Sequence, residues 1–225
     1  MKGKLIIIEG TDCSGKETQC KRLVNRLADD GIRVFTMPFP RYDTPTGKII
    51  GGPFLGKPSI SESYFDDPTQ VPGEVASLYY AADRLYNIEP IKEALNNGVN
   101  VILDRYIVSN MAFQGGKFMD KEKRHKMFKF IETLEYDLLE LPKEDATVFL
   151  YMPYEQACIL KSKREEVPDK VEIDEDYLKN AERTYLELAN MYDFIKIDCT
   201  KGNEIRSIED INEELYKKVK EILNG

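Results

Sequence analysis

Residues 10–17 read Gly10-Thr11-Asp12-Cys13-Ser14-Gly15-Lys16-Glu17. The spacing G-x-x-x-x-G-K is typical of a phosphate-binding loop, whose backbone N–H groups hold phosphate oxygens and whose lysine adds a positive charge. The next position in this motif is normally Ser or Thr, whose hydroxyl ligates Mg²⁺, but here it is Glu17. The loop predicts a nucleoside triphosphate site. Because Glu17 replaces the hydroxyl ligand, Mg²⁺ must be held by other residues.

The segments on either side of the loop favour this interpretation. Residues 4–9 (KLIIIE) form an apolar run rich in isoleucine, which predicts a buried strand. Residues 17–30 place their apolar side chains on one face and are followed by Gly31, which predicts a helix that ends there. The order strand, glycine loop, helix brings the amides of the helix start to a bound phosphate. The alternative is a glycine-rich turn before an ordinary helix.

Composition limits the classes of protein to be considered. The 225 residues, 42% of them hydrophobic, suit a single domain over residues 1–225 with a full core. A formal net charge of -8 argues against non-specific binding to nucleic acid, and no apolar run approaches the length of a membrane span. Four cysteines without a C-x-x-C pair favour a reduced, cytoplasmic protein.

An alternation of strands and helices continues along the chain. Apolar runs at 32–37, 99–104, 147–152 and 194–198 predict four further strands, with helical segments between them. The expected fold class is therefore α/β, a doubly wound five-stranded parallel sheet flanked by helices. Ligands in such sheets bind at the carboxyl ends of the strands, where both the phosphate loop and Asp104 fall.

Three longer segments are predicted to be helical. Residues 69–97 form one such segment, which Pro90 should kink or divide. Residues 120–141 form an amphipathic helix, and residues 207–223 form a closing helix with Ser207 as its N-cap.

A second motif follows the predicted strand that ends at Asp104. Asp104 can hold magnesium directly or through water, and Arg105 offers a bidentate fork for a phosphate. The alternative is an Asp-Arg pair on a surface loop.

The stretch from Asp104 to Gln114, D-R-Y-x-x-S-x-x-A-F-Q, resembles the signature of thymidylate kinases. Phe39-Pro40-Arg41 and Tyr80-Ala81-Ala82-Asp83-Arg84 resemble two further elements of that family, in the same order. The resemblance covers nearly the whole chain and is weakest in a charged segment at about 161–176, which corresponds to the family's short lid. It implies a P-loop nucleoside monophosphate kinase fold and a Mg²⁺-dependent, homodimeric enzyme that transfers the γ-phosphoryl of ATP to dTMP, giving dTDP and ADP.

The resemblance also implies how the phosphates are bound. Stabilising spread negative charge and aligning the groups is most of the catalysis in phosphoryl transfer. Lys16 would serve the donor, and Arg105 and Arg41 would bind the acceptor phosphate. That phosphate is already ionised near neutral pH, since its second pKa is roughly 6, so no general base is needed. The residues expected to bind ATP are Gly10, Thr11, Asp12, Cys13, Ser14, Gly15, Lys16, Glu17 and Thr18.

The thymine base requires a different kind of site. Tyr80 and Arg84 lie four residues apart on a predicted helix and share a face. By resemblance, Tyr80 stacks on the base, which is worth roughly 1–3 kcal/mol in nucleic-acid sites, and Arg84 hydrogen-bonds its edge. The alternative is that Tyr80 belongs to the core and Arg84 is a surface charge. Further residues that the resemblance assigns to the substrate are Asp12 and Phe113 at the sugar, and Ser109, Asn110 and Gln114 at the base.

Two departures from the family pattern lead to hypotheses. Because Glu17 replaces the hydroxyl, we expect Asp12 and Asp104, with waters, to hold Mg²⁺, which usually keeps several waters in proteins. Glu17 itself is expected to point outward. Because the phosphate loop has no arginine, the lid must supply one; Lys161, Lys163 and Arg164 are candidates, and Arg164 is the expected catalytic residue. The family's acid after the lid arginines is placed only provisionally, at Glu172.

Other functions fit parts of the sequence. A P-loop kinase of another nucleotide or of a deoxynucleoside would keep Lys16 and Asp104 but need different base contacts from Tyr80, Arg84 and Gln114. A non-catalytic, nucleotide-binding regulatory protein would explain Glu17 and the irregular lid. Such a protein would not need the Asp104-Arg105 pair.

Overall fold

The computed structural model of the chain describes residues 2–162 and 168–224. Its centre is a parallel sheet of five strands in the order β2-β3-β1-β4-β5, which confirms the predicted fold class. The strands are β1 Leu5–Gly10, β2 Val34–Pro38, β3 Asn100–Asp104, β4 Ala146–Tyr151 and β5 Ile195–Asp198. The predicted bounds agree with these within two residues.

Helices connect the strands and cover both faces of the sheet. They are α1 Lys16–Asp29, α2 Pro45–Ile49, α3 Gly73–Tyr86, α4 Glu89–Asn96, α5 Ile107–Gly116, α6 Lys121–Glu132, α7 Tyr154–Lys161, α8 Glu175–Met191 and α9 Ile208–Asn224. Within the described ranges, no helix is both long and apolar enough to cross a membrane.

The central strand β1 explains why the sheet is covered on both sides. All six of its residues are buried. Because successive side chains of a strand point to opposite faces, Ile6 and Ile8 pack with α1 and α9, whereas Leu5 and Ile7 pack with α4, α5, α6 and α8. A continuous apolar run is therefore what this strand requires.

The predicted helix over residues 69–97 is divided earlier than expected. The helix α3 ends at Tyr86, and the side chain of Asn87 donates to the Asp83 carbonyl at 2.8 Å. Pro90 lies in the first turn of α4, where a missing N–H costs no intrahelical hydrogen bond. The prediction that the segment is divided near Pro90 is confirmed, with the break at Asn87 and Ile88, just before the helix that contains Pro90.

The chain is less regular than predicted near two other helices. The helix predicted for 120–141 is α6 followed by a π-helical turn, Thr133–Leu138. A short hairpin pairs Thr200–Lys201 with Glu204–Ile205 before α9, and the sequence analysis missed it. The predicted N-cap of the last helix is confirmed, since the Ser207 hydroxyl accepts from the backbone N–H of Asp210 at 3.1 Å.

The carboxyl ends of β1, β2 and β3 meet at one edge of the sheet. The backbone N–H of Phe39, just after β2, donates to the carbonyl of Asp104 at 2.9 Å. The N–H of Arg105 donates to the carbonyl of Ile8 at 3.1 Å. These two bonds bring the phosphate loop, the Phe39-Pro40-Arg41 segment and the Asp104-Arg105 pair together.

Close packing between α5 and α6 depends on Gly115. A Cβ atom at this position would lie 2.3 Å from Cε1 of Phe128, whose ring is buried. We expect Gly115→Ala to lower the free energy of unfolding by about 1–3 kcal/mol, although alanine is the better helix former. Urea denaturation of the purified protein measures this change.

The matched control is Gly73→Ala at the start of α3. Its Cβ would first meet the sulfur of Met127, at 3.2 Å, and that flexible side chain can move. We expect the free energy of unfolding to stay within about 1 kcal/mol of the original value. Equal losses in the two variants would contradict the packing argument.

Candidate active site

The phosphate loop joins β1 to α1 and needs its glycines. Gly15 has a φ of 76°, a conformation that favours glycine. A Cβ atom on Gly10 would lie 2.7 Å from the Leu150 carbonyl oxygen. The hydroxyl of Thr11 donates to the Met152 carbonyl at 2.6 Å and accepts from the Met152 N–H at 2.9 Å, so the loop is fastened to the end of β4.

Lys16 is buried beneath this loop. Its ammonium group donates to the carbonyl oxygens of Gly10 at 3.0 Å and Thr11 at 2.9 Å. Burial, and then the positive charge of Arg105, lower the pKa of Lys16 to about 8, against the opposing effect of nearby carboxylates. The backbone of the loop therefore holds the ammonium group in place.

Glu17 points away from the loop. Its side chain is 78% exposed and pairs with Lys21 at 2.6 Å, one turn further along α1. The neighbouring Thr18 is also exposed. The position after Lys16 therefore directs its side chain into solvent.

Asp104 and Arg105 follow β3 beside the loop. Among the described residues, none donates a hydrogen bond to the Asp104 carboxylate, and burial raises the pKa of that carboxyl against the effect of Lys16 and Arg105. Arg105 has a φ of 67°, and its Nη1 donates to the hydroxyls of Ser109 at 3.3 Å and Tyr185 at 3.2 Å. The alternative of a surface Asp-Arg pair is wrong.

Glu9 is a functional neighbour that the sequence analysis missed. It is fully buried, and its Oε1 accepts from the backbone N–H groups of Tyr106 at 2.9 Å and Ser109 at 3.1 Å, at the start of α5. Its Oε2 accepts from the hydroxyls of Ser109 at 2.7 Å and Tyr185 at 2.9 Å. An acid that closes an otherwise apolar buried strand was the available signal.

A large cavity of about 1100 Å³ opens above the phosphate loop. Its walls include Lys16, Asp104, Arg105 and Arg41. The guanidinium of Arg41 pairs with Asp43, with Nη2 to Oδ2 at 2.7 Å and Nε to Oδ1 at 3.1 Å. The lining of this cavity includes four cations, Lys16, Lys21, Arg41 and Arg105, and four carboxylates, Asp12, Glu17, Asp43 and Asp104.

A smaller cavity of about 120 Å³ lies next to it. Asp12 and Arg105 line both cavities, so the two spaces share a wall. The predicted base-binding side chains line the smaller cavity: Tyr80, Arg84, Ser109, Asn110, Phe113 and Gln114. Arg41 does not line it.

Arg84 is a buried residue, not the surface charge of the alternative interpretation. It is 3% exposed and forms a two-pronged ion pair with Glu135, whose side chain is fully buried. Arg84 Nη2 lies 2.6 Å from Glu135 Oε1, and Arg84 Nε donates to the other carboxylate oxygen. Glu135 was not predicted, since it lies 51 residues away in a segment read only as helix.

Two oxygens in the smaller cavity's walls lack partners. Asn110 Oδ1 and Gln114 Oε1 are buried and have no hydrogen-bond partner among residues 2–162 and 168–224. Buried polar atoms are nearly always paired in folded proteins. A ligand that carries a hydrogen-bond donor would satisfy them.

Aromatic rings and the charged segment after α7 complete the smaller cavity. Phe113 stacks on Tyr177 with ring centres 5.7 Å apart, and Tyr177 is a wall residue that was not predicted. Asp169 and Glu172 also line this cavity, and Lys57 lies 3.6 Å and 3.9 Å from their carboxylates. Lys161 donates to the backbone carbonyl of Glu172. Two predicted lid residues, Lys163 and Arg164, lie outside the described part of the chain.

Comparison with known proteins agrees with this geometry. A family model described as thymidylate kinase matches residues 8–211. The chain is 31% identical to the thymidylate kinase of Schizosaccharomyces pombe, over 98% of this chain and 93% of that protein. It is 30% identical to the probable thymidylate kinase of Pyrococcus horikoshii, over 100% of both. The solved structure of a Candida albicans thymidylate kinase matches with a TM-score of 0.72 at 26% identity, covering 97% of this chain and 92% of that one.

The family match spans the phosphate loop, the Asp104-Arg105 pair and the walls of the smaller cavity. It confirms the resemblance that the motifs after β1, β2 and β3 predicted. From the extent of these matches, the chain belongs to the thymidylate kinase family.

Proposed function

We infer that this dTMP kinase binds ATP in the larger cavity and dTMP in the smaller one, so that the phosphates meet at the shared wall. The reaction, transfer of the γ-phosphoryl of ATP to dTMP to give dTDP and ADP, follows from the family. The observation that carries the arrangement is that Asp12 and Arg105 line both cavities. The family match favours this function over a kinase of another nucleotide or a regulatory protein.

Lys16 and the phosphate loop form the donor half of the proposed site. The N–H groups at the start of α1 and the charge of Lys16 are aimed at the β- and γ-phosphates. On binding, the ammonium group exchanges the carbonyls of Gly10 and Thr11 for phosphate oxygens. The other residues assigned to ATP are Asp12, Cys13, Ser14, Gly15, Glu17 and Thr18.

Arg105 is the proposed ligand of the acceptor phosphate. Its guanidinium is held by Ser109 and Tyr185, so it is oriented before the substrate arrives. Arg41 is proposed to join it by exchanging Asp43 for the phosphate. We propose that Arg164, in the lid segment, supplies a further positive charge to the transferring phosphoryl group.

The thymine base is proposed to lie against Tyr80, with its polar edge towards Arg84, Asn110 and Gln114. The unpaired oxygens of Asn110 and Gln114 support this placement, since thymine carries one ring N–H donor. Phe113, stacked on Tyr177, is proposed to border the sugar, and Asp12 to contact its hydroxyl. Ser109 is committed to Glu9 and Arg105, so it supports this site chiefly by positioning them.

The residues present fit a magnesium ion that keeps several waters. Asp104 and Asp12 both line the larger cavity, and carboxylate oxygens are what this hard cation prefers. Within the described ranges, no cluster of three or more potential ligands could hold a metal without water and phosphate. We propose that these two carboxylates hold the ion, which when bound neutralises charge on the transferring phosphoryl group. Glu17 is not proposed as a ligand, since its side chain is 78% exposed and pairs with Lys21.

The proposal also covers domain organisation, oligomeric state and cellular location. We propose a single kinase domain over residues 1–225, with segment 161–176 as its lid; ion pairs between Lys57 and the described end of that segment support this. We also propose a homodimer, by resemblance to the family. A cytoplasmic location is supported by the four free cysteines.

Release of ADP from ATP, measured with each nucleoside monophosphate in turn, tests the function. We expect dTMP to give the highest kcat/KM. Lys16→Ala should lower kcat by on the order of 10²–10³, because it removes a charge aimed at the transferring group. Preference for another monophosphate would contradict the thymine assignment, and ATP binding without any turnover would favour a regulatory protein.

The lowered pKa of Lys16 predicts that ATP binding takes up a proton. Near pH 8 the free site is partly neutral, whereas a bound triphosphate favours the charged ammonium and raises its pKa. At pH 8.5 we expect uptake of more than about half a proton per ATP, falling towards zero below pH 7.5. Calorimetry in buffers of different ionisation enthalpy measures this uptake.

Two variants assign that proton. Lys21→Ala, on the exposed face of the same helix, should leave the uptake unchanged. Lys16→Met should abolish it while ATP binding is still measurable at high protein concentration. Uptake that persists in Lys16→Met would show that another group titrates.

Asp104→Asn tests the proposed metal site. Removing the carboxylate should raise the Mg²⁺ concentration for half-maximal rate by at least about tenfold. Glu17→Gln is the matched comparison, because it removes a carboxylate from the lining of the same cavity; we expect it to leave that concentration unchanged, since the side chain pairs with Lys21 and only the backbone of Glu17 is proposed to serve ATP. An unchanged requirement in Asp104→Asn, or a raised one in Glu17→Gln, would overturn the assignment.

A further inference from the structure

We propose that Glu135, which does not line the smaller cavity, determines the discrimination between thymine and cytosine by fixing the hydrogen-bonding groups that the cavity presents. This inference rests on the proposed placement of the thymine base. Glu135 lies in the π-helical turn that follows α6 and is fully buried. It acts through Arg84 and Asn110, so it is a positioning residue.

The first step is the orientation of Arg84. Its Nε and Nη2 donate to the two oxygens of Glu135, and its Nη1 lies 3.4 Å from the carbonyl oxygen of Tyr106. These bonds leave one N–H on each terminal nitrogen for a ligand. Because Arg84 lines the smaller cavity, the ion pair makes it a fixed hydrogen-bond donor there.

The second step is the orientation of Asn110. Its Nδ2 donates to Glu135 Oε1 at 3.0 Å and to the carbonyl oxygen of Ser77 at 3.4 Å. A carboxylate paired with a guanidinium can only accept hydrogen bonds, so the amide must turn its NH₂ group towards Glu135. Its oxygen is thereby left without a partner among residues 2–162 and 168–224, and because Asn110 lines the cavity, this acceptor is available to a bound base.

The resulting pair of a donor and an acceptor matches one class of pyrimidine. Thymine and uracil carry an acceptor oxygen at C4 next to a donor N–H at N3, which complements Arg84 and Asn110. Cytosine carries an amino donor at C4 and an acceptor nitrogen at N3, so both of its groups would face like groups. Since Oε1 of Glu135 accepts from both Arg84 and Asn110, one oxygen sets the whole pattern.

Glu135→Gln disturbs this pattern with little change of shape. The new amide has two orientations. In one, its NH₂ group faces the N–H of Arg84 Nε; in the other, it faces the donors Arg84 Nη2 and Asn110 Nδ2. A donor therefore meets a donor in both. We expect kcat/KM for dTMP and for dUMP to fall by on the order of ten- to hundredfold, with their ratio unchanged. We expect kcat/KM for dCMP to fall less, so that the ratio of kcat/KM for dTMP to kcat/KM for dCMP decreases by about tenfold or more.

Glu187→Gln is the control for the loss of a partly buried ion pair. Glu187 accepts from Arg124 at 2.7 Å and contacts His125 at 2.6 Å, and it does not line either cavity. This variant should lower thermal stability but leave the ratio of dTMP to dCMP as it is. A general loosening of the fold would change both variants alike.

Two further variants keep the proposal testable if Glu135→Gln does not fold. Glu135→Asp retains the charge that Arg84 requires but is too short to reach both partners, so it should also narrow the ratio of dTMP to dCMP. Asn110→Ala removes the acceptor that Glu135 is proposed to orient. Glu135→Asp should therefore reduce the ratio of dTMP to dCMP less in the Asn110→Ala protein than in the original protein.

The outcomes separate this inference from the proposed function. An enzyme without turnover of dTMP in its original form would overturn the function. Turnover of dTMP with an unchanged ratio of dTMP to dCMP in folded Glu135 variants would overturn the inference alone. Equal loss for all three monophosphates would assign Glu135 a structural role and also overturn it.

Discussion

A single buried carboxylate, Glu9, joins the two halves of the site. It accepts from two backbone N–H groups at the start of α5, where unpaired amides and the helix dipole favour a negative charge. Glu9 lies directly before the phosphate loop, and Arg105 lies two residues before α5, whose first N–H groups bond to Glu9. A group that lines neither cavity therefore links the proposed donor and acceptor sites, in addition to the backbone hydrogen bonds at the edge of the sheet. Tyr185 extends the same network to α8.

The fold and the donor site were predictable because their signals are local. A continuous apolar run specifies a central strand such as β1, and the phosphate loop is defined by eight consecutive residues. Glu135 was not predictable, because its partner Arg84 is 51 residues distant and no period in the sequence selects one acid of that segment. Tyr177 likewise reaches the site only through the packing of α8 on α5. Arg84 itself was identified by resemblance, since spacing alone left it open as a surface residue.

The charged groups of the site are of two kinds: those that have a charged partner in the protein, and those that are available to a ligand. Arg84 is fully compensated by Glu135 in the folded chain, whereas Lys16 rests on backbone carbonyls and Asp104 accepts no hydrogen bond from the described residues. Groups of the first kind stabilise the arrangement of the side chains around them, because leaving a buried charge unpaired is costly. Groups of the second kind are where phosphate and metal charge can be received at small cost in reorganisation. The larger cavity thus places cations and carboxylates side by side within an acidic chain.

The π-helical turn after α6 gives the base site an unusual dependence on chain length. In this turn the N–H of Leu139 donates to the carbonyl of Leu134, five residues back, instead of four. A π turn contains one residue more than the α-helical turn that it replaces, and each residue of a helix turns by about 100°. Removing Thr133 or Leu134, which lie between α6 and Glu135, would rotate Glu135 by about 100° relative to α6. Under the proposed placement of the base, a homologue one residue shorter before Glu135 would need another acid to hold Arg84, so the length of this turn would take part in base recognition.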